Sequence, residues 1–230
     1  MVYSSPMQDG EHLLGDRSGA IRWALSLWAV VVAVFVIIAI PALRELAQPV
    51  DDWFWDLAVE TEWQPAVIVA KALRIIGSGW IMFPFEIAVG IWLYSHRRLR
   101  SLTVWLAAVV TTDVIVWTSK VLYNRPRPPD ALVSTTGDSF PSGHAATAAV
   151  VAVGLVLVFV TISENRWQWF AAAAGWAALM AASRVYLRAH WFTDVIAGAA
   201  VGAAVAITFA LIIDRWSDAN EDLRKRQTEE

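Results

Sequence analysis

The sequence predicts an all-α integral membrane protein with six transmembrane helices, and three observations carry that expectation. Of 230 residues, 57% are hydrophobic and 17% charged, whereas a soluble domain carries about 25% charge. The chain holds 14 Trp, a residue enriched where helices cross membrane–water interfaces. Apolar runs of near-transmembrane length recur along the chain, and in hydrocarbon such runs satisfy their backbone only as helices.

Composition also excludes several function classes. Cysteine is absent, which removes disulfides, thiol nucleophiles and thiolate-bound metals. A net charge of −3 and the lack of a basic run interleaved with aromatics argue against a nucleic-acid partner. No internal repeat or low-complexity linker divides the chain, so residues 21–213 read as one membrane domain between tails at 1–20 and 214–230.

Taken in order, residues 1–20 are polar and read as a loose tail. Residues 23–40 carry no charge and form the first span, a retained anchor rather than a cleaved leader because further spans follow. Residues 41–64 mix Glu45, Asp51, Asp52, Asp56, Glu60 and Glu62 with Trp53, Phe54, Trp55 and Trp63. That mixture predicts a segment lying at the interface, with a substrate-entry flap as the alternative. Residues 65–76 carry Lys71 and Arg74 and are too short to span, and Gly77-Ser78-Gly79 interrupts them. The interfacial region therefore extends over about 41–79. Residues 80–94 form the second span, with Pro84 and Glu86 inside it, and a basic turn of His96, Arg97, Arg98 and Arg100 follows. Spans three to six are predicted over 101–119, 144–162, 167–182 and 195–213, with Asp113 inside the third. Residues 214–230 are charged and read as a soluble tail. The basic turn after the second span places both termini in the cytoplasm.

With that topology, three polar stretches fall on the outer side. The stretch 139–149, SFPSGHAATAA, runs from a turn into an apolar helix, with Ser142 of N-cap type and His144 in the first turn. Free amides and the positive dipole end make such a helix start an anion site. Lys120, Arg125 and Arg127 precede it, and Arg184, His190 and Asp194 lie between spans five and six. Several fixed cations beside a helix N-terminus describe a receptor for a multiply charged oxyanion, phosphate above all. His190 and Asp194 are spaced i, i+4, so the carboxylate can hold one imidazole N–H and leave the other nitrogen free to attack. His144 lacks a local carboxylate and is placed to protonate a leaving group. A zinc site built from two His and one Asp is the rival chemistry, opposed by the surrounding Lys and Arg.

Together the stretches KVLYNRPRP at 120–128, PSGH at 141–144 and SRVYLRAHWFTD at 183–194 resemble the signature of the type 2 phosphatidic acid phosphatase (PAP2) superfamily. The family pattern is Lys-x6-Arg-Pro, then Pro-Ser-Gly-His, then Ser-Arg-x5-His-x3-Asp, and all three match in order. The resemblance implies a bacterial membrane phosphatase that needs no metal or other cofactor and acts on a lipid phosphate or diphosphate at the outer membrane face. Undecaprenyl diphosphate and phosphatidylglycerol phosphate are the favoured substrates. It also implies that Lys120, Arg127, Ser142, Gly143 and Arg184 hold the phosphate. His190 would attack, oriented by Asp194, and His144 would be the general acid. Membrane lipids are the surrounding partners, and oligomeric state is not legible. A lipid phosphotransferase on the same scaffold remains open, a small anion transporter is a remote alternative, and the spans disfavour a soluble vanadate-binding haloperoxidase. The pattern leaves four residues unexplained. Glu86 and Asp113 read as polar contacts within the bundle, with Asp113 a possible brace for Lys120. Arg125 and Arg188 read as rim charges that would touch a second phosphate.

Overall fold

The computed structural model describes residues 12–229, folded into eight helices with no strand among the described residues. Residues 1–11 of the expected N-terminal tail, and Glu230, lie outside the described residues. Helix α1 (Arg17–Ala39) begins where Asp16 accepts the Gly19 amide at 3.0 Å, one of the free donors of a first turn. It stops at Ile40 because Pro41 opens α2 (Pro41–Glu60), the position where a missing N–H costs least. Next come α3 (Gln64–Ile76), α4 (Gly79–Ser95) and α5 (Leu99–Tyr123). Asn124 ends α5 in the left-handed region at φ 44, a conformation that Asn tolerates. Helices α6 (Gly143–Phe159), α7 (Arg166–Tyr186) and α8 (Phe192–Glu229) complete the fold.

Each predicted span is a helix, but length and apolarity divide them. Helices α1 and α5, and the Phe192–Ala219 stretch of α8, are long and apolar enough to cross a membrane. Helices α3 and α4 pass together as one broken span bent by 46°. The Gly77-Ser78 interruption is thus a bend within a span-length unit, where the sequence suggested separate pieces. Helix α6 has 17 residues, or roughly 25 Å at the usual rise, short of a hydrocarbon core about 30 Å thick. It is instead the central helix of the bundle, with buried residues on most of its circumference from Ala145 to Val158. Helix α7 carries Arg166 and Arg184 and falls outside the span-length set. Large apolar side chains such as Trp23, Val32, Trp117 and Ile212 are exposed on the outer surfaces of α1, α5 and α8, which suits a lipid-facing wall.

Small residues decide how closely the helices meet. On α8, Gly198 and Gly202 lie four apart, and a Cβ at either would collide with the backbone carbonyl of Ser142 or Ala146 on α6. This is the small-xxx-small solution to close helix approach. Gly154 on α6 likewise receives the Trp105 ring, whose indole N–H donates to the Glu86 carbonyl at 3.0 Å, tying α4, α5 and α6 together.

The described parts of both expected tails pack against the bundle. Leu13 and Leu14 are buried, and their amides donate to Asp214 at 2.9 and 3.0 Å. Arg166 donates to the Leu13 carbonyl at 2.7 Å, and Arg17 pairs with Asp218. Helix α8 continues past residue 214, the point where a soluble tail was expected.

Gly202→Val is expected to destabilise the bundle by ~1–3 kcal/mol through overpacking, seen as a lower thermal midpoint in detergent. Gly175→Ala, where a Cβ meets nothing within 4 Å, should leave that midpoint unchanged or raise it.

Candidate active site

The close approach of α8 to α6 carries Asp194, in the first turn of α8, to the start of α6, where the Ser142 amide donates to the Asp194 carbonyl at 3.0 Å. Around this junction the structure gathers the residues singled out in the sequence. His190 lies in the turn between α7 and α8 and is 5% exposed. Its Nδ1 is 3.5 Å from Asp194 Oδ2, at the outer limit of hydrogen bonding, and has no nearer partner. Its Nε2 is 3.2 Å from Arg127 Nη1. A guanidinium only donates, so Nε2 must present its lone pair, and the ring proton sits on Nδ1 facing Asp194. Burial pushes the His190 imidazole down to about 4; Asp194 pulls it up, and Arg127 and Lys120 push it down further. The ring is neutral at neutral pH.

The cations surround the same point. Lys120, in the last turn of α5, donates to the Asp138 carbonyl at 2.6 Å, and Arg127 donates to that carbonyl at 3.2 Å. Arg127 also reaches the carbonyls of Gly137, Thr136 and Ala189 at 2.9, 3.0 and 2.7 Å. Burial lowers the Arg127 pKa from its ordinary value, against the pull of Asp194 and Asp138. Arg184 is 2% exposed, and its Nε and Nη1 have no partner, nor does the buried Ser142 hydroxyl. Buried donors without acceptors are costly. Such donors are suited to an anionic acceptor. Gly143 is the first residue of that helix, and no side chain caps it. Among the described residues, no cluster of three His, Asp or Glu is placed to hold a metal ion.

His144 is held differently. Its Nε2 is 3.2 Å from the Arg74 carbonyl; a carbonyl only accepts, so Nε2 carries the proton and Nδ1 is the free nitrogen. That carbonyl is available because α3 bends away there: the Gly77 amide bonds Leu73 and the Ser78 amide bonds Ile75, leaving Arg74 free to accept. Arg74 extends its own guanidinium to the Ser134 carbonyl at 3.1 Å.

The sequence reading missed the residues behind the pair of His190 and Asp194. Arg125, expected on the rim, is 2% exposed. It donates to Asp194 Oδ1 at 2.6 Å, Thr193 Oγ1 at 2.7 Å and Asp51 Oδ2 at 2.6 Å. Arg188, also expected on the rim, is 7% exposed and pairs with Glu62 at 2.9 Å. Neither is free to touch a second phosphate. Asp113 is exposed on α5, while Lys120 is held by Asp138, so Asp113 does not brace it. An Arg placed i, i+2 before the motif Arg, in a loop rich in Pro, carried no periodic signal of burial. Asp51 was one of six acids in a segment read as lying at the membrane interface.

An apolar groove of about 870 Å³ opens between α4, α6 and α7, lined by Met82, Phe85, Leu155, Phe159, Trp169 and Trp176 among others. Trp176 packs against the cluster of Leu73, Ala148 and Met180. A Cβ on Gly77 would stand 2.9 Å from Met180 and 3.0 Å from His144 Cδ2, so the α3–α4 junction packs directly on α6 and α7.

A family model for the PAP2 superfamily matches residues 99–218. Phosphatidylglycerophosphatase B of Bacillus subtilis is 30% identical over 139 residues, covering 58% of this chain and 68% of that protein. The undecaprenyl-diphosphatase of Sulfolobus acidocaldarius is 38% identical over 71 residues, which is 31% of this chain and 32% of that protein. The crystal structure of a transmembrane PAP2-type phosphatidylglycerolphosphate phosphatase from Bacillus subtilis superposes with a TM-score of 0.69 at 26% identity, covering 81% of this chain and 93% of that one. The three motif stretches lie within the family match, whereas Asp51 and Arg74 lie before it.

With four His in the chain, 15N imidazole NMR of the detergent-solubilised protein tests both tautomers. At neutral pH His190 is expected in the Nδ1–H form and His144 in the Nε2–H form. Gly77→Ala should shift the His144 signals and leave those of His190 in place.

Proposed function

This chain belongs to the PAP2 superfamily, and from that premise we propose that it is a metal-independent membrane phosphatase working through a phosphohistidine. The observation that carries the reading is the junction of a neutral, buried His190 with Arg127 and Lys120, beside an α6 N-terminus where Arg184 and Ser142 hold unmatched donors. Lys120, Arg127, Arg184, Ser142 and the Gly143 amide bind the phosphate oxygens, replacing the carbonyl and open contacts they now make. His190 Nε2 attacks phosphorus, the bond to the leaving oxygen breaks, and His144 gives that oxygen a proton from Nδ1 once it is doubly protonated. Water then attacks the phosphohistidine, His144 takes its proton, and inorganic phosphate leaves with His190 restored. The two-step route divides a hydrolysis that is extremely slow unaided. Asp194 holds the Nδ1 proton and stabilises the positive ring formed on phosphorylation.

The substrate is a lipid phosphate or diphosphate. The apolar groove between α4, α6 and α7 suits an apolar chain, and the relatives' names point to phosphatidylglycerol phosphate and undecaprenyl diphosphate as leading substrates. The layout supported by the sequence is a six-span domain over residues 21–213 with the site at the outer face. Leu13 and Leu14 meet Asp214, which brings the two ends of the bundle to one side, as an even number of crossings requires. The basic turn of Arg97, Arg98 and Arg100 makes that side cytoplasmic.

Purified protein is expected to release phosphate from these lipids in the presence of EDTA, and a loss of turnover restored by zinc would sink the mechanism. His190→Ala should abolish the labelled phosphoenzyme, whereas a variant with full activity would remove His190 as nucleophile. Because the folded His190 titrates near 4, the acid limb of kcat/KM should lie well below the ordinary imidazole value of about 6.5.

A further inference from the structure

Asp51 belongs to α2, before the region of the family match and outside the three motif stretches. Nevertheless, its carboxylate is buried, with 1% exposure, and fully engaged. Oδ2 accepts from Arg125 Nη2 at 2.6 Å and from the Thr193 hydroxyl at 2.8 Å, and Oδ1 accepts from the Thr193 amide at 2.8 Å. Arg125 continues to Asp194 Oδ1 at 2.6 Å, and the Trp191 amide donates to Asp194 Oδ2 at 3.0 Å. Asp194 Oδ2 is therefore the oxygen turned toward His190. Arg125 also lies over the Trp191 ring, 5.6 Å from its centroid. Three fully buried charges alternate along one line: Asp51, Arg125, Asp194.

The alternation matters for the reaction. Arg125 alone would fix Asp194 in place, but it would also neutralise it. A neutralised carboxylate gives little support to the positive ring that forms when His190 Nε2 takes a phosphoryl group. A second buried anion on the far side of Arg125 returns the set to a net charge of −1 while keeping the geometry that the guanidinium imposes. In a low-dielectric interior such a balance is felt at full strength, because little solvent screens it. We propose that Asp51 is a positioning residue for phosphoryl transfer, acting through Arg125 to keep Asp194 both fixed and effectively anionic toward His190. This rests on His190 being the nucleophile. The other charged or titratable groups facing His190 are Lys120 of α5, Arg127 of the α5–α6 loop and His144 of α6, and none of them contacts Asp51.

Charge balance and a mere strut make different predictions. Asp51→Asn keeps the shape and an acceptor oxygen but removes the charge. It should lower kcat at least about tenfold, the usual scale for a partner behind a reacting group, with KM nearly unchanged. The acid limb of kcat/KM should move to lower pH, because protonated His190 loses a stabilising anion. Adding Arg125→Gln to that variant restores the net charge of −1 beside His190. The double variant should return the acid limb toward its native position, the non-additivity expected of coupled sites, while loss of the guanidinium that fixes Asp194 keeps kcat below native. Each protein is taken as the monodisperse detergent-solubilised fraction, with its thermal midpoint measured alongside. A folded Asp51→Asn protein with native kcat and a native acid limb would overturn the proposal, as would a double variant whose acid limb stays where Asp51→Asn puts it. If Asp51→Asn yields no folded protein, the double variant alone decides: a native acid limb supports charge balance, and a displaced one overturns it. Labelled phosphoenzyme and the His190→Ala control are followed in parallel. Loss of the nucleophile reading would show as phosphoenzyme persisting in His190→Ala, independently of any result at Asp51.

Discussion

The approach of α8 to α6 is the constraint on which the rest of the site depends. Gly198 and Gly202 let the α8 backbone come against the carbonyls of Ser142 and Ala146. No residue with a Cβ would permit that contact unless a backbone shifted. The consequence is chemical as well as mechanical. The amide of Ser142 is tied to the carbonyl of Asp194, so the N-terminus of α6 and the carboxylate at the start of α8 are joined by a backbone bond. His190 and Arg127 then fall into register around it. In a bilayer, where lipid competes with side chains for apolar contact, this dependence on small residues is the expected means of bringing two helices so close.

The site is organised by what each polar group lacks. Arg184 and Ser142 are buried with donors unmatched, while Lys120 and Arg127 lean on loop carbonyls. Those carbonyls are neutral acceptors, weaker partners for a cation than an anion would be. The histidines are sorted by the same logic. A guanidinium donor forces the lone pair of His190 to Nε2, and a carbonyl acceptor forces the proton of His144 to Nε2. Two identical side chains are thereby given opposite tautomers by neighbours of opposite polarity.

Much of this was legible in the sequence, for physical reasons that can be named. Runs such as 23–40 and 195–213 announce helices because hydrocarbon admits little else. Lys120, Arg127, Ser142, His144, Arg184, His190 and Asp194 were legible as a set because they stand at the fixed spacings of three motif stretches, all within the family match. Asp51 and Arg125 were not. A charge that will be buried by tertiary contact looks, in sequence, like any solvated charge; only the arrival of α2 over Thr193 distinguishes Asp51 from Asp52 beside it. The same limit explains Arg188, whose partner Glu62 is distant in sequence, and the tails, where Asp214 reads as the first residue of a polar end but caps Leu13 and Leu14. Span number was blurred by the bend at Gly77-Ser78 and by the shortness of α6, which its central position makes tolerable.

The hydrogen-bond acceptor of His144 is a main-chain carbonyl, and that changes which alterations can reach it. Side-chain replacement at Arg74 leaves the carbonyl in place, so the group that fixes this histidine has no codon of its own. Its identity is protected against point mutation, unlike the carboxylate behind His190, which one base change can remove. What is exposed to mutation is the bend that frees the carbonyl, and with it Gly77, where an added Cβ would press on Met180 at 2.9 Å and on the His144 ring at 3.0 Å. Selection on the setting of this histidine therefore acts through the shape of a helix junction, and the record of that selection would be written in glycine rather than in any ionisable residue.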